Sequence, residues 1–343
     1  MASESRTLDR VDRQILHALQ LAPRAPFARL AIVLGVSEQT VARRFQRMRT
    51  TGVVRVLALP DPTGTPDTTY WTLRIGCRPG AAAALADALA RRPDTGWVSI
   101  DAGGAEITCQ ATVSAGRAGL LHHLPRASSV LAFSAHQVLH RFTGRGEADW
   151  IATGAELGED QRAALAPDGP AAGEARPGVR VEAADAPLLD ALARDGRASW
   201  ATLAAATGWT QRQAAQRVTA LTAAGAVYFH LDVADEAVGV HAIANLWVTV
   251  APADLATVGA RLADHTEAAH VAAITGAANL MAAVRCPDAA ALYRYLTTKV
   301  ADIGAIRTVE TVPQLTRVKQ SHFLVENGLV RDPDIDRRRA VRR

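Results

Sequence analysis

The sequence predicts an α+β fold in which one structural plan occurs twice. We expect two winged or helix-turn-helix domains and two ferredoxin-like (βαββαβ) sheet domains, arranged as an intramolecular pseudo-dimer. First, the chain repeats itself without a gap: Asp12 matches Asp185, and Gly52 matches Gly225 at the same spacing. Second, apolar residues at helical spacing open each copy. Third, strand and helix patterns follow in the order βαββαβ.

Residues 1–60 predict the first helix-turn-helix domain. Asp9 favours the start of a first helix through the helix dipole. Gly35 ends a second short helix, and Ser37 caps the third. A strand over Val53–Leu59 then leads out of the domain. The third helix has an apolar stripe at helical spacing, formed by Val41, Phe45 and Met48.

Residues 181–233 predict a second helix-turn-helix domain from the same signals. Gly208 makes the turn, Thr210 caps the third helix, and Gly225 ends it. The outgoing strand is Ala226–Val233. The buried stripe of this third helix is Ala214, Val218 and Leu221.

Residues 61–166 and 234–330 each predict a sheet domain. The first copy reads as strand Tyr70–Cys77, helix Ala81–Arg91, strands Trp97–Ala102 and Glu106–Val113, helix Arg117–Pro125 and strand Val130–Phe142. The second reads as strand Ala242–Val250, helix Asp254–Asp264, strands His270–Ile274 and Leu280–Arg285, helix Ala289–Val300 and strand Ile306–Leu315. Helices cover one face of such a sheet, so the other face must be buried against the second copy.

Composition limits the class of protein. The cysteines Cys77, Cys109 and Cys286 have no CxxC spacing, so we expect neither a disulfide framework nor a metal site. We find no signal-peptide pattern and no long apolar run, and therefore expect a cytoplasmic protein with no membrane partner. Residues 167–180, rich in Pro, Gly and Ala, predict a linker, and residues 331–343 form a basic tail.

Positive charge is concentrated in the first helix-turn-helix domain. Residues 1–60 carry ten arginines and four acidic residues, whereas the equivalent residues 174–233 carry six of each. A localised basic patch is typical of a site for a polyanion. A pair of helix-turn-helix units is one way in which proteins read two-fold DNA sites, so the predicted partner is double-stranded DNA.

The third helix of each copy carries the candidate DNA-binding residues. In the first copy we expect Gln39, Thr40 and Arg43 to approach base edges, and arginines further along to hold the phosphate backbone. The alternative is a solvated, arginine-rich helix face. The second copy has fewer cations, so it either reads a weaker half-site or is only a structural partner. The full set is Ser37, Gln39, Thr40, Arg43, Arg44 and Arg47, with Gln211, Arg212, Gln213, Gln216 and Arg217.

Turns in the sheet domains are candidate effector sites. Because glycine has no side chain, a ligand can approach the backbone there and accept hydrogen bonds from its N–H groups. Gly103, Gly104 and Glu106 occupy this turn in the first copy, and Gly276 and Asn279 in the second. The alternative is that both are ordinary hairpin turns. Because the copies differ, we expect two pockets of different affinity.

These motifs resemble the Lrp/AsnC, or feast/famine, family. The segments LDRVDRQIL and LAIVLGVSEQTVARRFQRMRTTGVV are similar to its helix-turn-helix, and ITGAANL is similar to its glycine-containing turn, which adds Thr275 to the effector residues. The resemblance implies a transcriptional regulator that dimerises through its sheet domains and often assembles further. It also implies that an amino acid or related metabolite binds near those turns. Fusion of two copies is the departure from the family.

The sequence therefore favours a ligand-responsive, DNA-binding transcriptional regulator with no cofactor, forming a pseudo-dimer within one chain, with a further homodimer left open. The alternative is a tetrapyrrole (siroheme-type) decarboxylase, since related siroheme decarboxylases share this fold. A third reading is a small-molecule sensor that acts on a protein partner. The first recognition helix keeps its cap, stripe and arginines, which an enzyme has no reason to keep. On that ground we expect that the chain is not an enzyme.

Overall fold

The computed structural model describes residues 8–61, 68–78, 80–114, 119–142, 157–165 and 179–331. These residues form two compact units. The first unit contains the described parts of residues 1–66 and 151–238, and the second those of residues 67–150 and 239–331. Most of the predicted linker and of the basic tail lies outside the described residues.

Helices and strands follow the predicted order in both copies. The first copy contains α1 (Arg10–Leu21), α2 (Phe27–Leu34), α3 (Glu38–Thr51), β1 (Val54–Pro60), β2 (Thr68–Cys77), α4 (Ala82–Ala90), β3 (Thr95–Asp101), β4 (Glu106–Ser114), α5 (Gly119–His123), β5 (Val130–Phe142) and α6 (Glu159–Leu165). The second contains α7 (Ala186–Arg194), α8 (Trp200–Thr207), α9 (Gln211–Ala223), β6 (Val227–Val233), β7 (Ala242–Val250), α10 (Leu255–Ala263), β8 (Ala268–Ile274), β9 (Leu280–Cys286), α11 (Ala289–Tyr295), β10 (Ile306–Arg317), β11 (Lys319–Gln320), β12 (Phe323–Glu326) and β13 (Leu329–Val330). The α+β prediction is confirmed.

Local signals fix the helices of the first helix-turn-helix domain. The Asp9 side chain accepts a hydrogen bond from the Asp12 N–H, and the Asp12 side chain accepts one from the Asp9 N–H. Gly35 ends α2 with a φ of 66°, a conformation that glycine adopts without steric cost. The Ser37 side chain accepts a hydrogen bond from the Thr40 N–H and caps α3. The predicted stripe of Val41, Phe45 and Met48 is buried.

The second helix-turn-helix domain uses the same devices. Thr210 and Gln213 form a capping box at the start of α9, and Gly208 ends α8 with a φ of 73°. The side chains of the three helices enclose one apolar core. Its buried members include Leu188, Leu192, Leu203, Ala214, Val218 and Leu221.

Strands β1 and β6 join the two helix-turn-helix domains as an antiparallel ribbon. Val54 pairs with Val233 and Pro60 with Val227, so Leu57 lies opposite His230 at the centre. Leu57 and His230 are themselves equivalent positions in the internal repeat. The register is therefore self-complementary, as at a two-fold axis.

Helix α6 packs against α1 and α2, although the sequence analysis anticipated no helix there. The Leu157 N–H donates to His17 Nδ1 at 3.2 Å. The Gln161 side chain donates to the Val33 carbonyl at 2.8 Å. Helix α6 therefore belongs structurally to the first helix-turn-helix domain.

In the second unit, the two four-stranded sheets close into one barrel. The strand order is β10-β3-β4-β2-β5-β8-β9-β7. The closing pairs are β5 with β8, where Val138 lies opposite Ile274, and β10 with β3, where Gln314 lies opposite Asp101. Each copy thus buries its uncovered sheet face against the other, as predicted, and the closed barrel has no exposed edge strands.

The inner wall of the barrel differs between the copies. The first copy contributes mainly polar residues, among them Thr72, Arg74, Asp101 and Thr108. The second contributes a mainly apolar cluster consisting of Trp247, Ala272, Ile274, Met281 and Val312. The two halves of the pseudo-dimer are therefore not interchangeable at this surface.

The C-terminal segment after β10 folds back onto the first sheet domain. The Val318 N–H donates to the Val98 carbonyl at 2.8 Å. The buried Lys319 ammonium donates to the carbonyls of Arg92 and Thr95, both at 2.7 Å. In the part of the chain that the structure describes, no helix is long and apolar enough to span a membrane.

Candidate functional site

Helix α3 presents a solvent-facing side that carries most of the predicted DNA-binding residues. Ser37, Gln39, Arg43 and Arg47 are exposed, and Thr40 is half-buried. The hydroxyl groups of Ser37 and Thr40 lie 2.8 Å apart at the cap of the helix. Across the described ranges, Gln39 and Arg43 make no hydrogen bond or ion pair. These two side chains are thus available to a partner outside the chain.

Arg44 and Arg47 are bound to acidic residues of the same domain. Arg44 Nη1 lies 2.6 Å from Asp9 Oδ2 and 3.0 Å from Asp12 Oδ1. Arg47 also pairs with Asp12, which is buried, while the Arg47 side chain stays 52% exposed. The hydrogen bond to Asp9 is the main cause that raises the pKa of Arg44. Both arginines therefore fasten α3 to the start of α1, and their role at a DNA backbone stays a prediction.

The second copy repeats this fastening with fewer cations. Arg217, the equivalent of Arg44, lies 2.7 Å from Asp185 and 3.5 Å from Glu182. Gln213 is used by the capping box at Thr210. Solvent-facing side chains remain on α9, namely Gln211, Arg212 and Gln216. With Gln216 at the position of Arg43, this face carries less positive charge than that of α3.

The first candidate effector turn is open at its glycines. Gly103 and Gly104 have φ values of 66° and 95°. A Cβ atom built at either glycine would meet no atom within 4 Å. Glu106 has a different environment, because its carboxylate accepts two hydrogen bonds from Arg74, at 2.9 and 2.8 Å. The space beside the two glycines is therefore open, while the charge of Glu106 is already paired.

The second candidate turn is held by hydrogen bonds to neighbouring strands. The Thr275 N–H donates to the Gln137 carbonyl at 2.9 Å, and Thr275 Oγ1 accepts from the Gln137 N–H at 2.8 Å. The side-chain amide of Asn279 bonds to the backbone of Val250. Its Oδ1 accepts from the Val250 N–H at 3.0 Å, and its Nδ2 donates to the Val250 carbonyl at 2.9 Å. A Cβ atom at Gly276 would lie 2.5 Å from His136 Nδ1. The polar groups of this turn are therefore occupied.

The equivalent positions in the first copy cannot make the hydrogen bond that Thr275 Oγ1 accepts from the Gln137 N–H. Thr275 corresponds to Ala102, which has no hydroxyl group, and Gln137 corresponds in the barrel register to Pro313, which has no N–H. This difference explains why only the second turn is held to the neighbouring strand. Glycine in the second copy is also required by the approach of His136, which sequence reasoning did not anticipate.

Arg74 is the central residue of a polar network that sequence reasoning missed. Besides Glu106, it donates to both carboxylate oxygens of Glu310 at 2.8 Å. Its guanidinium lies 4.6 Å from the ring centroid of Trp247, and the His136 ring lies 5.2 Å from the same ring. The alternation along β2 places Arg74 on the inner face, but nothing local in the sequence indicates a partner in the other copy of the repeat.

Asp101 is the most perturbed acid of this inner wall. It is fully buried, and Asn245 Nδ2 donates to its Oδ2 at 3.2 Å. Burial raises the pKa of Asp101 to about 6, against the opposing effect of hydrogen bonds from Thr108 and Ser99. Within the described ranges, no group of three or more His, Cys, Asp or Glu residues is placed to hold a metal ion.

Comparison with known families identifies the domains. Residues 8–49 and 183–222 both match the AsnC-type helix-turn-helix domain. Residues 243–323 match the Lrp/AsnC ligand binding domain. No curated protein sequence matches the chain.

Solved structures show how widely the architecture is shared. The siroheme decarboxylase NirDL matches with a TM-score of 0.60 and 11% identity, covering 97% of this chain and 99% of that chain. NirDL in co-complex with an iron-uroporphyrin III analogue gives a TM-score of 0.58, 12% identity and coverage of 91% and 93%. Escherichia coli AsnC is 24% identical over 40% of this chain and 94% of that chain, with a TM-score of 0.36. The similarity to NirDL is one of fold.

The expectation that the chain is not an enzyme is wrong. A chain with the same architecture over nearly its full length is a siroheme decarboxylase. The argument failed because the cap, the apolar stripe and the Arg44–Asp12 ion pair of α3 all serve the packing of the helix-turn-helix domain. An enzyme that retains this domain retains them for stability.

The matches establish two kinds of domain in this chain. The helix-turn-helix copies differ in charge, and the sheet-domain copies differ at their turns and inner wall. By its domains, the chain combines the AsnC-type helix-turn-helix domain, present at two places, with the Lrp/AsnC ligand binding domain.

Proposed function

We propose that the chain is a sequence-specific DNA-binding transcriptional regulator whose affinity for DNA responds to an amino acid or related metabolite. The observation that carries this proposal is the solvent-facing side of α3. Arg43 and Gln39 are exposed there and have no partner among the described residues. An arginine can bond guanine bidentately, and a glutamine can do the same with adenine.

The two helix-turn-helix domains contribute unequally in this proposal. Arg43 in α3 corresponds to Gln216 in α9, and Arg47 corresponds to Ala220, whereas Gln39 corresponds to Arg212, so α9 has a net loss of one cation at these positions. Each missing cation reduces the number of counterions released on binding, and with it the affinity. The first domain therefore supplies most of the DNA affinity, and the second reads a weaker half-site.

We place the effector at the first-copy turn. A Cβ atom built at Gly103 or Gly104 would meet no atom within 4 Å, whereas Thr275 and Asn279 in the second copy already bond to Gln137 and Val250. Backbone N–H groups at such a turn suit a carboxylate. The metabolite class in this proposal is accordingly one with a carboxylate group.

The test is binding to a labelled duplex from the upstream region of the gene, over a series of salt concentrations. Arg43→Ala should weaken binding by about 1–3 kcal/mol and lower the salt slope by about one unit. Gln216→Ala, at the equivalent position of the second copy, is the matched control. It changes no charge and should leave the salt slope unaltered.

The wild-type chain should prefer its own fragment to random DNA. Binding that does not distinguish the fragments, with Arg43→Ala equal to wild type, would be evidence against base reading by α3. Complete absence of binding at low salt, with and without carboxylate-containing metabolites, would reject the proposed function.

A second candidate function is tetrapyrrole decarboxylation. The observation that favours it is the match to NirDL over nearly the whole of both chains. The inner wall of the barrel also contains a histidine and an arginine, His136 and Arg74, and both lie close to the Trp247 ring. The arginine is already paired with Glu106 and Glu310, however, which leaves it less suited to bind the carboxylates of a tetrapyrrole.

An absorbance titration with an iron porphyrin carrying several carboxylates tests this candidate. A saturable shift of the Soret band, lost in His136→Ala, would support it. The control is Arg43→Ala, which should bind porphyrin as wild type does. An unshifted band up to millimolar protein would reject it.

A further inference from the structure

Two arginines, one in each helix-turn-helix domain, make the same contacts to the opposite domain. Arg24 donates to the carbonyls of Gly196 and Ala198, the latter at 3.0 Å. Arg197 donates to the carbonyls of Pro23 and Ala25, at 2.6 and 2.8 Å. Each donor and both of its acceptors occupy positions equivalent, in the internal repeat, to those of the other copy. The exchange is therefore reciprocal.

The same two guanidinium groups stack on equivalent rings. Arg24 lies 4.4 Å from the ring centroid of Trp200, and Arg197 lies 4.4 Å from that of Phe27. Phe27 and Trp200 are again equivalent positions in the internal repeat. Each arginine is thus held at its edge by two carbonyls and on its face by an aromatic ring, an arrangement that a lysine could not reproduce.

The ribbon of β1 and β6 extends this reciprocity. The Ala234 N–H donates to the Val53 carbonyl at 2.9 Å, and the Asp61 N–H donates to the Ala226 carbonyl at 2.9 Å. Arg49 and Asp195 add an ion pair across the domains at 3.0 Å. Connections therefore lie along the ribbon and at two corners, one between α1 and α2 and one between α7 and α8. We infer that this arrangement restricts rotation of one domain against the other about the ribbon.

Bringing two guanidinium groups into this interface has an electrostatic cost. Burial, together with the nearby charge of Arg24, lowers the pKa of Arg197 to about 10, and the Asp195 carboxylate opposes both effects. Charges buried in this way contribute little to net stability, and apolar residues often serve as well. What the paired arginines supply in addition is geometry, because a planar guanidinium can donate to two carbonyls at once in only one orientation.

We propose that Arg24 and Arg197 are positioning residues that lock the two helix-turn-helix domains into one DNA-reading body with fixed separation of α3 and α9. The proposal rests on the DNA-binding function proposed above. It implies that one chain reads two half-sites at a single spacing. An effector then cannot act by changing the distance between these two domains.

The first experiment measures the lock without DNA. Gln46 and Thr219 are exposed equivalents on α3 and α9, and all three native cysteines are buried. Nitroxide labels at Gln46→Cys and Thr219→Cys should give a narrow distance distribution by double electron–electron resonance. Arg24→Ala/Arg197→Ala should broaden it, and so should Arg24→Lys/Arg197→Lys, which keeps both charges. Arg194→Ala, an exposed arginine of α7, is the control and should leave the distribution narrow.

The second experiment uses unlabelled protein and duplexes selected by the wild-type chain. The double alanine variant should lose at least about tenfold in affinity for the two-site duplex, because the second contact is no longer pre-positioned. Its affinity for a single half-site should be unchanged, and its preference for one spacing should flatten. Circular dichroism tests whether each variant is folded. If Arg24→Ala/Arg197→Ala unfolds, the same affinities are measured for Arg24→Lys/Arg197→Lys.

The outcomes separate the two proposals. A broad distribution in the wild-type chain, or a distribution that neither arginine pair changes, would overturn the lock. A narrow wild-type distribution that broadens in the variants, in a chain that binds no DNA, would support the lock and overturn the DNA-binding function. Loss of two-site affinity with an equal loss on single half-sites would overturn the positioning role.

Discussion

At the residue scale, a charged side chain in the barrel is stabilised in its ionised form where a partner of opposite charge lies beside it. Arg74 meets Glu106 and Glu310, and the hydrogen bond to Arg74 lowers the pKa of Glu310. Asp101 lies in the same barrel, but no arginine or lysine pairs directly with its carboxylate in the described parts of the chain. Ionisation of Asp101 is therefore less favourable in the folded protein than in the unfolded chain.

Asp101 makes the stability of the barrel depend on pH. Its pKa rises from 3.8 to about 6 on folding, so the folded state binds the proton more tightly than the unfolded chain does. The stabilisation is complete below pH 4 and is lost as the pH rises through 6, amounting to about 3 kcal/mol. Asp101→Asn removes this dependence, since an amide does not titrate in this range.

Urea unfolding of Asp101→Asn and wild type at pH 4 and pH 7 measures the difference. Between pH 4 and about pH 6, the free energy of unfolding of wild type should fall relative to that of Asp101→Asn. Outside this range the difference between the two should stay constant. Asp87→Asn, at an exposed position whose carboxylate pairs with Arg91, is the control. An equal gap between Asp101→Asn and wild type at both pH values would contradict the prediction.

At the element scale, local signals were enough to predict the helix-turn-helix domains but not the segments that are held by residues far away in the sequence. Ser37, Gly35 and Thr210 act on backbone groups within four residues, so their roles can be inferred from the sequence. Helix α6 and strand β11 are stabilised by contacts with residues more than a hundred positions away. No periodicity within them indicates those partners.

The candidate sites divide in the same way. The exposed face of α3 followed from its buried stripe, because a helix that packs one side must expose the other. The pairing of Arg44 with Asp9 and Asp12 did not follow, since an arginine on the flank of a helix reaches equally well toward DNA or toward its own domain. For the effector turns, glycine positions were predictable, whereas the contacts that occupy Asn279 depend on the barrel register.

The C-terminal segment provides a prediction at this scale. The buried Lys319 ammonium satisfies the carbonyls of Arg92 and Thr95. Lys319→Met keeps the apolar stem and leaves both carbonyls without this donor, which should cost about 1–3 kcal/mol of unfolding free energy. Lys299→Met removes an exposed ion pair with Glu267 and should cost no more than about 1 kcal/mol. Thermal and urea unfolding of the two variants would measure both values, and equal losses would show that the segment is not held by Lys319.

At the scale of the whole molecule, the two helix-turn-helix domains differ in charge although their folds match. The difference predicts asymmetric protection of the operator in a nuclease footprint, with the stronger half contacted by α3. Gln216→Arg places an arginine at the position equivalent to Arg43 and should strengthen protection of the weaker half. Gln211→Ala is the neutral comparison on the same helix. Equal protection of two identical half-sites by the wild-type chain would refute the asymmetry.

The closed barrel has a consequence for how such a chain diverges after gene duplication. In a dimer of identical subunits, every substitution appears on both sides of the axis, so a cation near the axis must face a cation. Here Arg74 stacks on Trp247, the residue that the internal repeat makes its own counterpart. Covalent fusion removed the requirement for self-complementarity, so each half became free to acquire mutations that the other half does not share. A polar wall facing an apolar one is a surface that no symmetric ancestor of this chain could have encoded.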